Sequence, residues 1–92
     1  MQVKRCILHG KAIRSLDDLY DCLSRDLAFP DYFGWNLDAL WDILSTDMEG
    51  PLEVVWEEAE ASRSAMGEDF ERVASLLMDL ERERDDFRIF FR

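Results

Sequence analysis

The sequence predicts a small α/β domain: a three-stranded parallel sheet packed with about four helices. Three observations carry that prediction. Short β-branched or aromatic runs near residues 3–8, 52–56 and 87–91 are separated by segments of helical periodicity. Strands divided by helices pair in parallel, through crossovers rather than hairpins. A chain of 92 residues, 48% hydrophobic and 12% aromatic, suffices for one core and not for two, so residues 1–92 are expected to form a single domain.

The elements follow in order. Residues 3–8 start on Val3 and close on His9 and Gly10, a strand running into a turn. Ser15 with Asp18 three positions on has the form of a capping box, and Leu16, Leu19, Tyr20, Leu23 and Leu27 recur at helical spacing behind it. Pro30, which has no N–H to donate, is read as the stop, and Gly34 as the turn residue after it. Asn36 is a favourable N-cap, and Asp38 lies in the first turn, where a carboxylate complements the helix dipole; this predicts a short helix over 37–44. Leu52, Val54 and Trp56 form the second strand. Residues 57–66 make a polar helix stopped by Gly67, and residues 68–84 a longer one with Phe70, Val73, Leu76, Leu77 and Leu80 on one face. Phe87, Ile89 and Phe91 alternate with Arg88, Phe90 and Arg92 in the last strand.

Charge narrows the function classes. The net charge is −10, and residues 26–62 hold ten carboxylates without one Lys or Arg, while the remainder is neutral. Such a field repels nucleic acid and anionic membrane and favours a cationic partner; the competing reading is a solvated, solubilising surface. No apolar run approaches a membrane span, and the apolar segment after Lys4 and Arg5 is too short for a signal peptide, so a cytoplasmic location is expected. Cys6 and Cys22 have no metal-ligand spacing and are expected to be free, partly buried thiols. His9 is the only histidine, and no phosphate loop or nucleophile motif is present. Asp38 and Asp42 at DxxxD spacing are a weak signal for acid–base or Mg²⁺ chemistry. The expectation is a protein that is not an enzyme and has no metal and no cofactor.

The stretch PDYFGWNLDALWDIL, residues 30–44, combines four aromatics with three aspartates. At 100° per residue, Leu37, Leu40 and Leu44 share a side with Ile43 flanking them. Asp38 and Asp42 lie one turn apart on an adjacent side, with Trp41 on the border. Like charges at i, i+4 cost an isolated helix about 0.2–0.5 kcal/mol. Tyr and Trp beside them are residue types enriched at interface hot spots.

The stretches IRSLDDL, PDYFGWNLDALWD and GPLEVVW, with the closing acidic helix and strand, resemble the barstar family over nearly the whole chain. Barstars are intracellular inhibitors of secreted bacterial ribonucleases such as barnase, and the YxGxNLDALWD block is the specific part of the likeness. The resemblance implies a barstar-like fold and a protein that plugs the cationic active site of a microbial ribonuclease with the acidic loop and helix of residues 32–42. On that reading Asp42 is the main mimic of RNA phosphate, facing the enzyme's arginine, lysine and histidine groups. Asp38 pairs with basic residues of the cleft wall, Tyr32 packs on the catalytic histidine, and Gly34, Asn36 and Trp41 shape the surface. Leu76 and Asp79 fall where the family has an apolar and an acidic contact on the last helix.

Departures from the family pattern are expected to bear on partner choice. Asp47 replaces a loop tryptophan, Asp79 a glutamate, Phe33 a tyrosine, and Trp35 a polar residue beside the contact helix; the family's two cysteine positions are Ile43 and Asp85. The expected partner is a basic, barnase-like ribonuclease or a related cationic protein, and the free protein is expected to be a monomer. Charge alone also fits an acidic nucleic-acid mimic, or a regulatory module, on a basic non-ribonuclease protein.

Overall fold

In the computed structural model, which describes residues 2–92, the strands are β1 (Lys4–His9), β2 (Leu52–Glu57) and β3 (Phe87–Phe91), ordered β1-β2-β3. Both pairings are parallel, with Cys6 opposite Val54 and Val54 opposite Ile89. Alternation sends Cys6, Leu8, Leu52, Val54, Trp56, Phe87 and Ile89 into the core, and leaves Arg5, Ile7, Arg88 and Phe90 exposed on the other face. The helices are α1 (Leu16–Asp26), α2 (Leu37–Asp42), α3 (Ala59–Met66) and α4 (Glu68–Glu83). The domain is therefore the expected α/β arrangement of three parallel strands and four helices.

The start of α1 is as expected: Ser15 Oγ accepts from Asp18 N at 3.2 Å, and Asp18 Oδ2 reaches back to Arg14 N at 3.0 Å. Its end is not. Ala28 turns left-handed (φ 57°), and Phe29 N donates to Ser24 O at 2.9 Å, so the helix closes on its own backbone before Pro30 is reached. β1 begins at Lys4, leaving Val3 exposed, and β2 continues to Glu57, so α3 starts two residues later than the polar pattern suggested.

One polar group belongs to the core. Ser62 is fully buried; its Oγ accepts from Trp56 Nε1 and donates to Gly10 O, both at 2.9 Å. The indole of Trp56 also packs on Phe70 (4.9 Å between centroids) and Phe91 (6.1 Å). Phe91 thus packs on the Trp56 side of the sheet although it is partly exposed. Cys6 and Cys22 are free; burial, with Asp26 beside it, pushes the Cys6 thiol up, which makes it inert.

Candidate functional site

Phe33 anchors the loop that leads into α2. It is buried, with edge-on contacts to Tyr20 (5.6 Å) and Phe29 (5.0 Å). Its neighbours are driven outward, leaving Tyr32 70% and Trp35 47% exposed. The left-handed residue of this loop is Trp35 (φ 52°) and not Gly34, which corrects the turn assignment. Gly34 matters for space: a Cβ there would sit 3.3 Å from the Ala39 Cβ. The Trp35 backbone is held in place by its own ring, which meets Tyr20 at 6.0 Å and Phe33 at 6.1 Å.

Asn36 caps α2 as expected, its Oδ1 accepting from Ala39 N at 2.8 Å while Nδ2 donates to Gly34 O at 3.2 Å. Leu40, Ile43 and Leu44 are buried, Leu37 and Trp41 half-buried, and Asp38 and Asp42 exposed. The helix does not run on to Leu44 in α form. Residues Ile43–Asp47 make a π-helical turn, with Met48 N donating to Ile43 O at 3.0 Å. Thr46 Oγ1 donates to Asp42 O at 2.6 Å, and such a side-chain bond competes with the backbone ladder and widens the turn.

Arg84, just after α4, fastens this turn to the sheet. Its Nη1 donates to Leu44 O (2.6 Å) and Met48 O (2.9 Å), while Nε and Nη2 hold the Asp86 carboxylate at 2.8 and 2.9 Å. The guanidinium holds the Asp86 carboxyl below its ordinary value. A Cβ on Gly50 would collide with that carboxylate, so a larger residue there would have to displace the Asp86 and Arg84 side chains. Asp47 is tied in as well: Tyr32 Oη donates to it at 2.9 Å, which raises the phenol above its ordinary pKa.

Asp38, Trp41, Leu76 and Asp79 come together along a groove of about 380 Å³ between α2 and α4, with Leu37, Arg72 and Ser75 completing it. Trp35, Asn36 and Asp38 border a second depression with Asp17 and Tyr20. Asp42 and Tyr32 line neither; both stand exposed on the same loop and helix. Sequence reasoning missed Arg72 and Ser75, although they stand seven and four residues before Asp79 and so share its side of α4. Asp79 lies 3.5 Å from Arg82 on its own helix.

Folding neutralises the acidic segment unevenly. Glu53 meets Arg5, Glu58 meets Lys11, Glu60 meets Arg63 and Asp26 meets Arg25. Asp31, Asp38, Asp42, Asp47 and Glu49, together with Glu57 at the end of β2, have no ion-pair partner among the described residues. Among those residues no three His, Cys, Asp or Glu side chains converge as a metal site would need, and no helix is long and apolar enough to cross a membrane.

A family model described as Barstar (barnase inhibitor) matches residues 3–92. A protein of Bacillus subtilis (strain 168) named "Putative ribonuclease inhibitor YrdF" is 34% identical over 88 residues, which is 95% of this chain and 97% of that protein. Both descriptions are of inhibitors and not of enzymes. Because the family match spans residues 3–92, which include all three strands and all four helices, the chain belongs to the barstar family.

Proposed function

We infer that the protein inhibits a ribonuclease, and that it does so by seating α2 and the preceding loop in a cationic, barnase-like active site. Asp42 stands in for an RNA phosphate: an exposed carboxylate offers the charge and the paired acceptors that a guanidinium binds bidentately. Asp38 faces basic residues at the cleft wall. Tyr32 covers the catalytic histidine, with its hydroxyl already oriented by Asp47. Trp35, Gly34, Asn36 and Trp41 shape the surface, and Leu76 and Asp79 extend it onto α4.

The observation that carries this reading is the run of unpaired carboxylates on and around α2, beside exposed aromatics, in a chain whose family is described as inhibitors of barnase. These exposed carboxylates have no ion-pair partner among the described residues, and a cationic cleft would supply one. The test is titration of the protein into a small secreted bacterial ribonuclease with RNA cleavage as readout. Stoichiometric inhibition is expected, and Asp42→Ala should weaken it by about 3 kcal/mol or more, over a hundredfold. An Asp42→Ala protein as potent as the parent would overturn the assignment of Asp42.

A further inference from the structure

The outer edge of β1 is open. Lys4 N donates to Pro51 O at 3.0 Å and Gly10 N to Glu57 O at 2.7 Å. The parallel register between those two bonds turns the backbone groups of Lys4, Cys6 and Leu8 toward β2, and those of Arg5, Ile7 and His9 outward. His9 O is taken by Ala12 N and Ile13 N in the following turn. The N–H and C=O of Arg5 and Ile7, and the N–H of His9, have no partner among the described residues, and all three residues are exposed. On β3 the equivalent outward N–H of Ile89 is capped by Glu81 Oε2 at 3.0 Å. Side chains thus cap part of the β3 edge, whereas no side chain among the described residues caps the middle of β1, which is left as a template for pairing.

The edge has a charge to match. Residues 1–16 carry Lys4, Arg5, Lys11 and Arg14 and no carboxylate, in a chain of net charge −10. Arg5 is engaged at 2.6 Å by the half-buried Glu53 and keeps 55% of its side chain exposed, while Lys11 meets Glu58 in an exposed pair that a competing carboxylate can share. Lys4 has no ion-pair partner among the described residues. Pairing of β1 with β1 of a second copy would set these cations against each other, which opposes self-association.

We propose that the β1 edge accepts an extended acidic segment of another protein by strand addition, the backbone of Arg5 and Ile7 supplying the hydrogen bonds and Lys4 and Arg5 selecting carboxylates. This surface is formed by a different element from the acidic loop and α2. The mode is the one in which main-chain bonds give affinity and alternate side chains give selectivity.

The probe is an acetylated, amidated heptapeptide alternating valine and glutamate, titrated into the ¹⁵N-labelled full chain. The expected result is slowed hydrogen exchange at the Arg5, Ile7 and His9 amides, weakened about two- to fivefold by Lys4→Glu. Ile7→Pro should abolish it, since the Ile7 N–H makes no bond to β2. Two controls keep the parent protein unchanged and so do not depend on how variants fold: a lysine-for-glutamate peptide and a fully N-methylated glutamate peptide should both fail to protect these amides. Equal protection by either control, no protection at millimolar peptide, or concentration-dependent protection by the protein alone with a dimer in sedimentation would each overturn the proposal.

Discussion

Ser62 and Trp35 show how single residues carry costs that neither composition nor periodicity registers. Ser62 looks like any serine on a polar helix, yet it is the buried link between the Trp56 indole and the Gly10 carbonyl. Ser62→Ala leaves both groups without a partner and should destabilise the protein by about 1–3 kcal/mol, seen as a lower urea midpoint at unchanged slope. Trp35 sits at φ 52°, where an L side chain is strained by about 1–2 kcal/mol. Replacing it by alanine or by glycine removes the same ring contacts, so the difference between the two variants isolates the backbone. Trp35→Ala should be less stable than Trp35→Gly by about 1 kcal/mol in chemical denaturation, the reverse of the usual order in regular structure. Alanine equal to or better than glycine would show that the loop carries no such strain.

At the scale of elements, α2 is a short helix held at both ends by different means. Its N-terminus is capped by Asn36, a local feature readable from the string Asn-Leu-Asp-Ala because donor and acceptor are three residues apart. Its C-terminal continuation, the π-helical turn, depends on Arg84, forty residues from Leu44 in sequence. Arg84→Met should uncover the Leu44 and Met48 carbonyls and speed amide exchange across Ile43–Met48, with a stability loss of about 2–3 kcal/mol. The same variant changes the acid limb. The Asp86 carboxyl is held below its unfolded value, so its contribution is present above the ordinary carboxylate pKa near 4 and is lost as pH falls through the lower folded value. Asp86 is about half exposed, so the effect is modest; the Arg84→Met protein should show a shallower loss of stability below about pH 4 in acid titration followed by circular dichroism.

For the molecule as a whole, what matters is how charge is separated. The N-terminal strand and turn hold cations without carboxylates, and the segment from Asp26 to Ser62 holds carboxylates without cations. Folding pairs Glu53 and Glu58 with Arg5 and Lys11 of the N-terminal segment, Glu60 pairs with Arg63 on its own helix, and α2 and its flanks have no ion-pair partner among the described residues. Association with a cationic ribonuclease should therefore be steered. The on-rate is expected to fall about tenfold or more between ~0.01 and 0.5 M salt in stopped-flow mixing, because the Debye length shrinks from about 30 Å to under 8 Å. A rate indifferent to salt would count against the acidic face as the docking surface.

Sequence alone determined the strand–helix alternation, the parallel sheet, the capped starts of α1 and α2, and the acidic, aromatic character of residues 30–44. Each of these depends on residues within a few positions of one another, or on a periodicity that repeats along one element. Only the tertiary structure decided that Arg72 and Asp79 share a groove with Asp38 and Trp41, that Asp47 orients Tyr32, that Arg84 secures the π-helical turn, and that Trp35 rather than Gly34 takes the left-handed turn. These depend on which side chains crossover connections bring together, and on backbone strain that a packed aromatic cluster can hold, neither of which leaves a local mark in the chain.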